Sequence, residues 1–411
     1  MKIKLAATGY FADTLLQAGT GFVLVAVAAR NSTLSEFGEF ALIIAVAAIQ
    51  QTLATLGSQQ IIYSRSAKNG GKIPYLNTTA FGLTLRVSIL FYLATTVLLV
   101  FFGNNVYLYL YLLGGLRVLS AASNPLLMDA QARHAIREFL PYRVFSTIPV
   151  MILCSILWAT SASIEYFALL WGAEPLFFLA MMTLSAKSYK RLVPLKTTAK
   201  FPALAAKSYP LALQSVLVSI YYRYDQFYVQ YQFGAEPLAI YSAAARIAEV
   251  GNIAFGVLTL LLAPRLIAEL RLSSGIPRVV VRGIILILAM SVAVSISCFA
   301  IGEFILGFIF GQEFAAGSSV LGVYVLSTGL TLLGSLASKA LVAHGSTNFH
   351  IVSGLVGVGV MIASSFYLCQ YLGPIGAAWA TVLAYAAAVF VLIMRLYYLR
   401  SILEVHRNYS V

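Results

Sequence analysis

Long apolar runs alternate along the chain with short polar breaks. An α-helix needs about 20 apolar residues to cross a bilayer. Twelve such runs can be drawn, at 6–29, 38–62, 79–102, 106–127, 141–160, 164–186, 207–231, 237–262, 280–301, 318–343, 350–370 and 375–398. None has the alternation of a membrane β-strand, whose segments are about 10 residues long. The pattern predicts an all-α polytopic membrane protein with about twelve transmembrane helices, and the breaks leave no room for a soluble catalytic domain.

Inside several runs, polar residues recur at spacings of three and four, which places them on one helix face. The first run carries Asp13, Gln17 and Thr20, the second Gln51, Thr55 and Ser58, and the fourth Arg117, Ser120 and Asn124. The seventh carries Ser215, Ser219, Arg223, Gln226 and Gln230, the eighth Ser242, Arg246, Glu249 and Asn252, and the tenth Thr328, Thr331, Ser335 and Lys339. The fifth, eleventh and twelfth are nearly free of such stripes, and the sixth has little beyond Glu174. Stripes in spans one, two and four thus recur in seven, eight and ten. The recurrence predicts two six-helix bundles related by a pseudo-twofold along the membrane normal, 1–187 and 207–411, joined by a basic linker at 188–206. Their polar faces would line a cavity between them. An internal echo agrees: FGEFALIIAVAAI from Phe37 and LAIYSAAARIAEV from Leu238 each follow a short turn.

Composition excludes a soluble domain: 60% of residues are hydrophobic and 10% charged, against about 25% charged in soluble chains. The net charge of +13 would suggest nucleic acid in a soluble chain. Here its placement points elsewhere, and no nucleic-acid partner is expected. Basic residues gather in alternate connections: Lys2 and Lys4; Arg65, Lys68 and Lys72; Arg133, Arg137 and Arg143; Lys187, Lys190, Arg191, Lys196, Lys200 and Lys207; Arg265, Arg271, Arg278 and Arg282; Arg395, Arg400 and Arg407. These are 21 of the 27 basic residues. By the positive-inside rule, both termini and these loops are cytoplasmic. Asp13 marks the first run as a permanent span rather than a cleaved leader.

Charges inside the runs carry the candidate chemistry, because each costs roughly 2.5–3.5 kcal/mol near the bilayer centre. Arg86, Arg117, Arg223 and Arg246 lie within spans, and Arg30 ends the first. Against them stand Asp13, Asp225 and Glu249. Arg246 and Glu249, three apart, can pair on one face. Five arginines facing three acids leave an excess suited to an anionic ligand, since guanidinium grips phosphate or carboxylate bidentately. The plain alternative is that these charges are ion pairs fixing helix packing. Asp13 is the leading proton carrier, or else the partner of an arginine. Tyr221, Tyr222, Tyr224, Tyr228 and Tyr231 near Arg223, and Tyr107, Tyr109 and Tyr111, read first as an interfacial aromatic belt; stacking on sugar rings is the sharper alternative for the first group. His344 and His350 flank a short cytoplasmic turn and read as solvated.

Cys154, Cys298 and Cys369 lie in apolar runs and form neither a disulfide framework nor a metal site. No GxxxxGK[ST] loop, metal-spaced His/Cys set or nucleophile elbow occurs. No cofactor, enzymatic activity or ATP hydrolysis of the chain's own is expected. Energy would come from an ion gradient or from the substrate's own.

Three segments carry a family resemblance: Arg30 to Leu42 (RNSTLSEFGEFAL), Ser208 to Gln226 with RYDQ at 223–226, and Ala239 to Val250 (AIYSAAARIAEV) with LLAPRL at 261–266. Together with the twelve-span layout, they resemble the polysaccharide transporters of the multidrug/oligosaccharidyl-lipid/polysaccharide (MOP) exporter superfamily, in particular the Wzx-type flippases. The resemblance implies a V-shaped pair of bundles in a bacterial inner membrane. By alternating access they would move an undecaprenyl-pyrophosphate-linked oligosaccharide from the cytoplasmic to the outer leaflet. It also implies membrane lipids, a coupling proton or sodium ion, and polymerase and chain-length proteins as partners. Substrate binding would fall to Arg30, Arg86, Arg117, Arg223 and Arg246, and ion coupling to Asp13, Asp225 and Glu249. Of the arginines, Arg30 and Arg223 match family positions, as does Asp225; the others rest on their place inside apolar runs. The alternatives are a MATE-like exporter of drugs or organic ions and, from another class, a membrane oligosaccharide polymerase or glycosyltransferase. The outer loop 302–317 holds only Glu303 and Glu313 for such chemistry.

Overall fold

The structure, a computed structural model, describes residues 2–55, 57–59, 62, 66, 74–103, 105–133, 135–185, 201–251, 278–343 and 348–408, and its regular elements are all helical. They are α1 (Lys2–Arg30), α2 (Leu34–Thr55), α3 (Pro74–Phe102), α4 (Asn105–Gly114), α5 (Asn124–Ala132), α6 (Leu140–Ala159), α7 (Ile164–Ser185), α8 (Phe201–Phe233), α9 (235–251), α10 (Arg278–Ile309), α11 (Ser318–Ala343), α12 (Phe349–Leu372) and α13 (Pro374–Asn408). Ten spans among the described residues are long and apolar enough to cross a membrane. The charged α8 and α9 occupy the places of the seventh and eighth predicted spans. The protein is a multi-pass α-helical membrane protein.

The chain divides into two compact units, Met1–Ser219 and Ile220–Val411, with the division inside α8. Most of the predicted linker lies outside the described residues, and α8 begins within its last residues.

In the first unit, α1 and α2 meet at a capping box. Glu36 Oε2 accepts from the Thr33 amide at 2.9 Å, while Thr33 Oγ1 accepts from the Glu36 amide at 3.3 Å. Two orphan donors at the start of α2 are thereby satisfied. The fourth predicted span forms the centre of the unit, against α2, α3 and α7, and it is not one helix. Between α4 and α5 it runs as a 3₁₀ helix from Gly115 to Ser123, nine residues where such runs seldom exceed about four. The sequence explains this. Gly114 and Gly115 weaken the α-helix. Pro125 has no amide for the Ala121 carbonyl, which takes the Asn124 amide at 3₁₀ spacing instead. Ser120 Oγ and Gln51 Nε2 donate to the Arg117 carbonyl at 2.7 and 2.8 Å, and Ser123 Oγ to that of Ser120 at 2.7 Å. The polar stripes of spans two and four are thus bonded to each other. α7 lies so close that a Cβ on Gly172 would collide with the Leu113 carbonyl, the close approach small residues permit in membranes.

Around this centre α3 presents Leu90, Leu93, Val97, Leu98 and Phe101 outward. Only 6% of its most apolar stretch is buried, so it is a lipid-facing helix. In the second unit the most buried span is Gln312–Val342; its helix α11 packs against α10 and α13, and α12 packs on α13. Gly373 ends α12 at φ +64°, the left-handed stop that glycine allows, and Pro374 opens α13.

Three expectations are corrected here. Tyr111 is no belt residue: it is fully buried, stacks on Tyr92 at 5.6 Å, and donates to Gln50 Oε1 at 2.7 Å. Residues two apart on a helix point to nearly opposite sides, so Tyr109 alone of the two faces out. His350 is buried rather than solvated and shares a 2.8 Å hydrogen bond with Ser338 on α11; His344 lies outside the described residues. Arg143 belongs to α6 rather than a loop, and is 1% exposed. The charge pattern counts it with the basic residues of the connections although it falls inside the run 141–160, and Pro141 in the first turn suits a helix start.

Candidate functional site

Among the described residues the first unit holds two ion pairs between different helices, each joined to an aromatic ring. Asp13 on α1 accepts from Arg143 Nε at 2.9 Å, and both side chains are buried. The Arg143 guanidinium also lies over the Phe178 ring of α7, 3.5 Å from its centroid. Asp13 thus takes the arginine-partner reading at an arginine the sequence had placed outside the membrane. Thr20 shares its buried face, whereas Gln17 turns outward.

The second pair follows from one proline. Pro175 in α7 has no amide, so the Trp171 carbonyl one turn earlier loses its helical partner. Arg117 Nη1 donates to that carbonyl at 2.9 Å and to Glu174 Oε2 at 3.4 Å, with the guanidinium 4.4 Å from the Trp171 ring centroid. The 3₁₀ segment thus carries Arg117 to the kink of α7. Glu174, a lone polar residue in sequence, is 1% exposed and its Oε1 finds no hydrogen-bond partner among the described residues. Arg30 and Arg86 lie exposed.

The second unit gathers charge differently. α8 and α9 are joined at Gly234, whose φ of +89° only glycine adopts readily. The tight turn sets α8 and α9 side by side. Glu249 accepts from Arg223 Nη1 at 2.7 Å and from Arg246 Nη1 at 3.1 Å. The Arg246–Glu249 pairing expected from spacing is present, but Arg223 shares the same carboxylate. Two cations on one anion leave the cluster at net +1. Arg223 also lies 4.8 Å from the Tyr222 ring centroid.

Asp225, two residues along α8, turns to another face. Its Oδ2 accepts from Tyr241 of α9 at 2.7 Å and Thr381 of α13 at 3.3 Å, and its Oδ1 accepts from the Gln226 amide at 2.8 Å. It is fully buried, and no arginine or lysine among the described residues pairs with it within 4.0 Å. Tyr324 packs edge-on against Tyr241. Arg223 Nε, Gln226 Oε1, Ser242 Oγ and the Tyr324 hydroxyl are buried with no partner of ordinary hydrogen-bond geometry among the described residues. Buried polar atoms are nearly always satisfied, which sets these atoms of α8, α9 and α11 apart.

The structure therefore joins Arg223, Arg246 and Glu249, and sets Asp225 beside them on other partners. It places Asp13 and Arg117 in separate pairs of the first unit. Among the described residues no three His, Cys, Asp or Glu side chains converge as metal ligands.

No protein-family model matches the sequence, and no curated protein matches it in sequence. Solved structures match along nearly the whole chain. A MATE transporter in a bent conformation superposes with a TM-score of 0.65 at 13% identity, over 97% of this chain and 96% of that one. The lipid II flippase MurJ, in an inward closed conformation, gives 0.66 at 15% identity, over 93% and 86%. A MOP-superfamily transporter from Pyrococcus furiosus gives 0.67 at 12% identity, over 96% and 95%. Likeness at these identities is a likeness of fold, and the fold is that of the MOP-superfamily transporters, which MATE proteins and a lipid II flippase share.

Proposed function

We propose that this protein is a flippase. It moves an undecaprenyl-pyrophosphate-linked oligosaccharide from the cytoplasmic to the outer leaflet of a bacterial inner membrane, for assembly of a surface polysaccharide such as O-antigen, capsule or exopolysaccharide. The observation that carries this reading is the sharing of Glu249 by Arg223 and Arg246. A pyrophosphate can displace or join the shared carboxylate and take both guanidinium groups bidentately. Asp225, held by hydroxyl and amide donors rather than a cation, is free to exchange a proton or sodium ion as the site fills and empties. Arg246, half-buried beside the fully buried Arg223, is the point of first contact. Both termini and the basic loops face the cytoplasm, by the asymmetry of positive charge. Transport proceeds by alternating access, as in the resembling families.

The same fold supports a second reading, a MATE-like antiporter, since MATE structures superpose as well as the flippase does. The net positive charge at Glu249 favours an anionic substrate over an organic cation. Gene deletion separates the readings. A lipid-linked glycan that accumulates and is protected from external glycosidase in sealed spheroplasts supports the flippase. Accumulation of accessible glycan excludes it, and unchanged glycan with new drug sensitivity supports the antiporter.

A further inference from the structure

A cavity of about 670 Å³ lies in the first unit, and none of the ion-paired residues above lines it. It is an open groove between α1 and the start of α6, walled among the described residues by Gly9, Ala12, Pro141, Val144, Phe145 and one cation, Arg137. Gly9 and Ala12 make the groove by having almost no side chain. A Cβ on Gly9 would stand 2.7 Å from Arg137 Cγ, so the arginine's aliphatic stem lies directly on α1. Arg137 is exposed and sits in the 3₁₀ turn Ile136–Glu138 that leads into α6. The first turn of α6 has no side-chain cap, and the helix dipole favours an anion near it. Beyond the groove, Phe145, Ile148 and Ile152 continue up α6 as one exposed apolar ridge at helical spacing, and Phe11 and Leu15 do the same on α1.

We propose that this groove binds one anionic phospholipid from the leaflet on the basic side of the membrane. Its phosphate sits at Arg137 and the start of α6, and one acyl chain lies between the two ridges. Three features agree on that occupant: a cation at the membrane–water boundary, an apolar slot opening from it, and exposed ridges leading toward the bilayer interior. Basic pockets between transmembrane helices on the cytoplasmic side bind acidic lipid heads by this arrangement. The site is independent of the transported substrate.

The test uses the purified full chain with vesicles of equal phosphatidylglycerol and phosphatidylcholine, and native mass spectrometry to count retained lipids. One phosphatidylglycerol is retained in preference to phosphatidylcholine. Arg137→Gln lowers that retention by about five- to tenfold, the effect of one surface cation on an acidic lipid. Ala12→Phe fills the slot with the charge in place and removes the bound lipid; it decides the matter if Arg137→Gln does not fold. Equal retention of the two lipids, or a preference that survives Ala12→Phe, overturns the proposal. So does displacement of phosphatidylglycerol by an equal amount of polyprenyl phosphate, which would make the groove a substrate entry.

Discussion

The two units spend their buried charge in opposite ways. In the first, two arginines each have their own acid on another helix: Asp13 with Arg143, and Glu174 with Arg117. Each guanidinium also lies over an aromatic ring, Phe178 or Trp171, which adds cation–π attraction in a dry setting. In the second, two arginines divide one glutamate while the remaining acid, Asp225, is held by a tyrosine, a threonine and an amide. Similar polar stripes thus yield closed pairs in one unit and an unbalanced cluster in the other. A closed pair holds helices together and has little left for a ligand. An unbalanced cluster is costly unless something binds it. On the proposed function, the first unit's charges serve packing and the second's serve the ligand.

This contrast breaks most visibly at Arg143. Arg143→Leu leaves the Asp13 carboxylate buried and alone, which costs about 3–5 kcal/mol. Thermal unfolding in detergent should show the loss, and adding Asp13→Leu should restore most of the stability with transport intact. The second unit should behave the other way. Arg246→Gln leaves Arg223 on Glu249, so the fold is kept while uptake of substrate falls about 10- to 100-fold, the value of a charge-assisted phosphate contact. Glu174→Gln should cost stability by about 1 kcal/mol, because Arg117 keeps the Trp171 carbonyl and ring; transport measured per folded molecule should not change. Smallest is Tyr241→Phe. It removes one donor from Asp225, costs about 1 kcal/mol, and should alter the dependence of transport on proton or sodium concentration while leaving substrate affinity alone.

The sequence carried the fold further than the site. Apolar runs located the spans because bilayer thickness sets their length, and Thr33 and Glu36 announce the start of α2 through a purely local motif. Arg246 and Glu249 were legible for the same reason, being one turn apart. The other partners were hidden by distance along the chain: Arg223 is 26 residues from Glu249, and Asp225 is 156 from Thr381. No spacing rule reaches that far. Arg143 was counted with the cytoplasmic charges although it lies inside the run 141–160, because positive charge near a span end reads first as loop charge. Glu174 was passed over as a lone acid, although the adjoining Pro175 was a usable signal: it frees a carbonyl that some donor must satisfy. The arginine excess inferred from counting is unchanged at two, because Glu174 joins the acids and Arg143 joins the arginines.

The most direct test compares the two kinds of charge in one assay. Proteoliposomes would carry the parent protein, Arg246→Gln, or the double variant Asp13→Leu/Arg143→Leu, and flipping of a polyprenyl-diphosphate-linked oligosaccharide would be read by its loss of accessibility to external enzyme. The double variant should flip at a rate close to the parent, and Arg246→Gln should be nearly inactive though folded. An active Arg246→Gln beside a folded but inactive double variant would contradict it, and would move the transport chemistry to the first unit.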